Sequence, residues 1–166
     1  MLKGQMKKFR RYEGQTLIET ALMLFLILLI LLGISEFSRA WFVKNSLKNA
    51  VRQGVRVAVV TQRNNLPATT FNCINPSCPV SNPVINAVCC QPGVPKKADN
   101  WSDPNTGVTL TCRNQSGTVI ACNTIITGDS VAVNARSTFF FIIGNSPWPW
   151  PHSTNMGADA SMRYEL

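Results

Sequence analysis

The chain has 166 residues, 45% of them hydrophobic and 14% charged, with a net charge of +8. That size suits one ordinary domain and argues against a multidomain enzyme; charge far below the usual fraction of about a quarter, with aliphatics crowded into one stretch, argues against a disordered chain or an evenly mixed soluble globule. Residues 1–14 carry five bases against Glu13, residues 36–63 carry six against Glu36, and residues 64–166 carry five of each sign. The excess positive charge thus flanks the apolar stretch, which fits membrane topology and headgroups better than a DNA-binding face.

From Leu17 to Ile34 the sequence reads LIETALMLFLILLILLGI, and flanking Thr16 and Ser35 bring the run to 20 residues. As a helix this spans about 30 Å, the thickness of a bilayer's hydrocarbon core, so residues 15–35 are expected to cross a membrane. The basic segment before the run should stay cytoplasmic by the positive-inside bias, against the weaker opposing vote of the bases that follow, and the rest of the chain would lie outside. A cleaved secretory signal is the competing reading, because Ser38-Arg39-Ala40 forms a small-x-small triplet. The long apolar run and the helical periodicity that continues past Ala40 argue against cleavage there. Glu19 is the one charge in the run. Ionised near mid-bilayer it would cost about 2.5 to 3.5 kcal/mol, less near an interface, so it needs a partner or a proton; snorkelling at the cytoplasmic boundary is the plainest solution.

Beyond Gly33, the residues Phe37, Trp41, Leu47, Val51, Val55 and Ala58 recur at helical spacing and mark one apolar face. Lys44, Lys48, Arg52 and Arg56 follow at intervals of four, a row that drifts about 40° per step around the helix. A solvated face explains the row most simply; contact with headgroups for Lys44, or with acidic partner subunits higher up, is the functional alternative. Nucleic acid is not an expected partner, since no aromatic platform or binding motif accompanies the bases. Residues 15 to about 61 together predict one helix of roughly 70 Å, half in lipid and half amphipathic over 36–63, interrupted at most by Gly33 and Gly54.

Residues 64–166 are expected to form an external α+β domain. Its first part, 64–106, is dense in Asn, Pro and Ser and reads as loop. Val108 to Cys112 and Thr118 to Cys122 alternate around a turn-rich Arg113 to Gly117 and predict a β-hairpin. Ser130 to Ile143 predicts a longer strand, ended by Gly144 and the Pro147-Trp148-Pro149-Trp150-Pro151 segment, and Ala158 to Tyr164 predicts the last. Three or four antiparallel strands packed on the amphipathic helix make the fold.

Six cysteines, Cys73, Cys78, Cys89, Cys90, Cys112 and Cys122, all follow the span. An even count confined to a small external domain points to disulfides in an oxidising compartment, with fifteen full pairings open; Cys112 with Cys122 across the hairpin is preferred, and adjacent Cys89 and Cys90 should take different partners. No C-x-x-C occurs and the single histidine, His152, is distant in sequence, so neither a metal nor any other cofactor is expected. A serine or cysteine triad would have to recruit His152, which nothing else nominates; a surface histidine is the simpler reading. Trp148 and Trp150 could stack on sugars or a partner, though rigid Pro-Trp turns closing a sheet are commoner. Asn100-Trp-Ser and Asn114-Gln-Ser match glycosylation triplets that arise readily by chance.

The string Glu13-Gly14-Gln15-Thr16-Leu17-Ile18-Glu19 sits between the basic leader and the span and resembles a type IV prepilin cleavage site, with Gly last in the leader and Glu fifth in the mature chain. The longer run GQTLIETALMLFLILLILLGISEFSRAWFVKNSLKNAVRQGVRVAVV resembles the TadE-like family of pseudopilins from tight-adherence (Tad) pilus systems, and VAVNARSTFFF and Ala158 to Glu165 look like that family's last two strands. Gln15 departs from the Phe of many type IV pilins. Thr20 stands where major Tad pilins carry Tyr, and major Tad pilins are very short; both departures point to a minor subunit.

The resemblance implies a leader of residues 1–14, removed by a membrane prepilin peptidase at Gly14-Gln15. It further implies that Glu19 pairs with the new terminal ammonium of a neighbouring pilin or pseudopilin, which gives subunit registration. The expected role is then structural, without enzyme chemistry, in the bacterial inner membrane with the C-terminal domain in the periplasm, and possible incorporation in a surface pilus. The alternative is a membrane-anchored periplasmic binding or adhesin domain unrelated to filaments, using the tryptophans.

Overall fold

The computed structural model describes residues 6–67, 70–74, 78–142 and 152–165, with side chains described from Gly14 onward. The chain falls into two compact units, residues 1–39 and 40–166. One helix, α1 (Met6–Val59), supplies all the described structure of the first unit and the opening element of the second. It begins before the apolar run and ends two residues short of the expected limit. From Gly14 onward it is long and apolar enough to cross a membrane.

The second unit is α+β. Its strands are β1 (Thr70–Phe71), β2 (Gly107–Arg113), β3 (Val119–Ile120), β4 (Ser130–Phe140) and β5 (Ser153–Arg163). They form one antiparallel sheet in the order β1-β2-β4-β5, with β3 paired to β2 on the same side as β1. β2 and β3 make the hairpin anticipated from the alternation, and its tip is fastened by Asn114, whose Oδ1 accepts from the Thr118 backbone N–H at 2.8 Å. Over its first seven residues β4 alternates, with Val131, Val133 and Ala135 buried, so one face of the sheet is apolar there; beyond them Ser137, Thr138 and Phe139 are all buried. β5 starts five residues earlier than expected, because Ser153 to Gly157 pair in unbroken register with Phe140 to Arg136. Polar residues and a glycine hide that half of the strand from any pattern search.

The apolar face of the sheet is covered by the upper part of α1. Leu47, Ala50, Val51, Val55 and Ala58 are fully or almost fully buried in one cluster with Val108, Leu110, Val131 and Val133. The buried stripe therefore starts at Leu47. Phe37 and Trp41, assigned to the same face from spacing, are 67% and 57% exposed. Periodicity fixes an angle on the helix and says nothing about where the covering sheet ends.

The segment 64–106 is more regular than its composition suggests. It holds a seven-residue helix, α2 (Pro83–Cys89), started by Asn82, whose side chain accepts from the N–H groups of Val84 and Ile85, and by Pro83 in the first turn. Val84, Val88 and Cys89 are buried. The helix approaches α1 at Gly54 so closely that a Cβ there would collide with the Val88 side chain. Gly93, in the left-handed region at φ 82°, lies equally close to Ser46 and Phe42 of α1. Three disulfides, Cys73–Cys89, Cys78–Cys90 and Cys112–Cys122, pin these loops, with sequence separations of 16, 12 and 10. Cys89 and Cys90 thus tie α2 to two different points of the preceding loop.

Candidate functional site

Gly14, Gln15 and Glu19 all lie within α1, and all three are exposed. Gln15 and Glu19 are four apart, so they stack on one side of the helix about 6 Å apart along the axis. The Gly14-Gln15 bond is itself helical. A Cβ at Gly14 would meet nothing within 4 Å, so crowding does not explain a glycine there. What glycine does is weaken the helix locally, by about 1 kcal/mol relative to alanine.

Thr20, one residue after Glu19, turns its hydroxyl inward and donates to the carbonyls of Thr16 at 2.8 Å and Leu17 at 3.0 Å. Its polarity is satisfied by the helix itself. The residues from Leu22 to Leu32 are exposed on every side of the helix, and Glu19 sits at the lower margin of this all-round apolar surface. Ser38 resolves its polarity as Thr20 does, donating to Ile34 O at 2.8 Å. The small-x-small triplet that includes it, Ser38-Arg39-Ala40, runs through unbroken helix.

Above the apolar stretch, Glu36 is held by Arg39 at 3.1 Å, one turn along. Lys44, Lys48, Arg52 and Arg56 are all exposed, and the row slants away from the buried stripe toward the outer side of the helix.

The remaining sequence candidates do not converge on one place. His152 is exposed, and its carbonyl accepts from the Phe141 N–H where β4 meets β5. Trp148 and Trp150 lie outside the described residues. Asn100 spends its side-chain amide on the Thr138 carbonyl, 38 residues away, and so serves as a tie between a 3-10 turn and β4. Among the described residues there is no group of three or more His, Cys, Asp or Glu that could hold a metal, and every cysteine is in a disulfide.

An open cleft of about 510 Å³ lies at the end of the sheet, lined by Gln62, Arg63, Asn64, Ile125, Ile126, Thr127 and Tyr164. Sequence reading does not find it, because it joins the turn after α1 to the turn before β4. The one signal is Tyr164, a buried phenol beyond the last strand, whose hydroxyl donates to the Thr61 carbonyl at 2.9 Å and closes the domain.

No curated protein and no solved structure significantly matches the chain. Residues 14–56 match the model of the TadE-like protein family. The segment that carries Gly14, Gln15, Glu19, the apolar run and the whole basic row is the TadE-like part of this chain.

Proposed function

We propose that the protein is a minor pilin or pseudopilin of a Tad-type pilus apparatus, structural rather than catalytic. The leader, residues 1–14, faces the cytoplasm and is removed by a prepilin peptidase at Gly14-Gln15. Residues 15–35 hold the subunit in the bacterial inner membrane, and the disulfide-bonded domain stands in the periplasm. One observation carries this reading: the TadE-like match opens at Gly14 and takes in the exposed, all-round apolar run of α1 that follows from Leu17.

The chemistry of docking follows from that placement. Cleavage would convert the Gln15 amide nitrogen into an ammonium four residues from Glu19. A carboxylate at the edge of lipid is costly alone, and two opposite charges in a medium of low dielectric attract strongly. Glu19 of one subunit and the Gln15 ammonium of its neighbour therefore compensate each other only when the subunits are in register. Glu19→Ala should leave membrane insertion and the folded domain unchanged while incorporation into the apparatus falls. Wild-type incorporation of Glu19→Ala, measured by immunoblot of sheared filaments and assembly complexes, would remove the registration role.

A further inference from the structure

The upper part of α1 buries one side against the domain, and its other side is chemically uniform. That exposed side consists of the bases Lys44, Lys48, Arg52 and Arg56 and, beside them, the amides Asn45, Asn49 and Gln53. Base and amide recur as a pair every four residues, as Lys44-Asn45, Lys48-Asn49 and Arg52-Gln53. The strip is about 18 Å long. A solvated helix face normally interleaves acids with bases, so that i, i+4 neighbours attract. Here the neighbour of each base four residues away is another base, which destabilises the helix.

Nothing in the chain offsets that repulsion. From Phe37 to Ala98 the sequence carries eight bases and no acid. The fold brings no acid to the strip either: among the described residues, none of these seven side chains makes a hydrogen bond or an ion pair. Four positive charges and three free amides are thus held in fixed array on a helix whose opposite side is locked into the core by Leu47, Val51 and Val55.

We propose that this outer face of α1 docks an acidic helix of a different subunit of the same apparatus, one whose carboxylates recur every four residues. Charge complementarity sets the sign of the partner and the repeat sets its shape. Each step of four residues advances about 6 Å, and equal rows on two helices line up at a crossing of about −50°, the commonest packing class. Every carboxylate then meets a base, and the amide beside it supplies a further N–H donor. A planar layer of lipid headgroups is a poorer match, because the row turns through about 120° between Lys44 and Arg56. A second copy of this chain offers no matching row. Asp99 and Asp103 are four apart, but they lie in a 3-10 turn and the bend after it, where Asn105 and Asn155 already hold Asp103. Asp159 stands on β5. The proposal rests on the pilin reading above for the source of its partner.

Charge reversal separates docking from folding. Lys48→Glu combined with Arg56→Glu places an acid four residues from each remaining base, so the helix gains attractive neighbours while the row loses its net charge. In the producing bacterium, the full chain with both changes should be processed normally at its N-terminus and keep the melting midpoint of its domain, yet enter the assembled apparatus about tenfold less than wild type. Lys48→Arg with Arg56→Lys should enter as wild type does. Normal incorporation of the charge-reversed chain overturns the docking face and leaves the pilin reading intact, whereas a wild-type chain that keeps its leader breaks the pilin reading itself. The occupant is tested on the purified full chain in nonionic detergent. An alanine-based helical peptide with glutamate at every fourth position should bind about tenfold more tightly than an isomer with the same glutamates scattered, and less tightly as salt rises. Equal binding of the two peptides, or binding of neither, overturns the helical partner. Slower acetylation of Lys44 and Lys48 in phosphatidylglycerol than in phosphatidylcholine nanodiscs overturns it in favour of headgroups, and salt-sensitive self-association of the wild type overturns it in favour of a second copy.

Discussion

Residues 14–35 and residues 46–59 belong to one helix, and both are rich in aliphatic side chains, yet they meet different surroundings. Leu26 is 55% exposed and its neighbours are exposed all round, whereas Leu47 is completely buried. The patterns differ accordingly. The lower stretch has no polar face, while the upper one confines Leu47, Val51, Val55 and Ala58 to a stripe and turns Lys48, Arg52 and Arg56 outward. A stripe matches a surface on one side, here the sheet; a helix that is apolar on every side matches a solvent, and exposure of that much apolar surface to water costs about 25 cal/mol per Å². One continuous helix thus holds a stretch apolar on every side, long enough to cross a membrane, and a stripe that enters a protein core.

The largest expected effect separates the two stretches directly. Leu47→Ala should destabilise the external domain by about 2 to 5 kcal/mol, because it opens a cavity in the cluster that joins the helix to the sheet. Leu26→Ala, the same chemical change, should leave the domain's unfolding midpoint where it was. Denaturant melts of both variants in detergent, followed by tryptophan fluorescence, measure the contrast, and equal effects would break it.

A smaller effect tests how far the domain depends on covalent ties that the lower stretch lacks. Replacing both Cys112 and Cys122 by Ser should cost about 3 kcal/mol, the loop entropy of a short closed loop. The same melts read it, and an unchanged midpoint would assign the hairpin's stability to β2 pairing alone.

The smallest effect is pH-dependent and sits in a turn. The Asn105 backbone N–H, at 2.7 Å, and secondarily the Asn155 amide, at 3.5 Å, hold the Asp103 carboxyl below its ordinary value of 3.8. A carboxyl depressed by folding adds stability that is complete above that ordinary value and disappears as the pH falls through the lower, folded one. Wild type should therefore lose slightly more stability on acidification from about pH 5 to pH 2 than Asp103→Asn does. Identical acid profiles in thermal melts would discount the turn.

The contrast along α1 also shows how much of the fold was readable. An apolar run of bilayer length and a stripe at helical spacing both follow from residue order, as does the β2–β3 alternation, because each is a local pattern with a fixed period. The start of the stripe at Leu47 depends instead on where the sheet ends. The first half of β5 owes its conformation to β4 rather than to its own residues. α2 carried a legible start, Asn82 with Pro83 and then a Val-Ile-Val spacing, but it lies in a stretch whose Asn and Pro content reads as loop. The disulfide partners of Cys89 and Cys90 needed the folded chain, since adjacent cysteines in sequence carry no information about distance.

For the candidate site the division is sharper. Gly14, Gln15 and Glu19 stand out from sequence because a glycine, a basic leader and a lone carboxylate are placed around one apolar run. The cleft at Tyr164 is a property of pairing between segments far apart in the chain, and no local pattern encodes it.

The central claim is that the chain is cut between Gly14 and Gln15, so that a new ammonium exists to meet Glu19. The most direct test is the intact mass and N-terminal sequence of the protein isolated from its native membrane. A mature chain that begins at Gln15 is the predicted result, and a Gly14→Leu variant should keep its leader; native material that still begins at Met1 while the apparatus assembles normally would contradict the account.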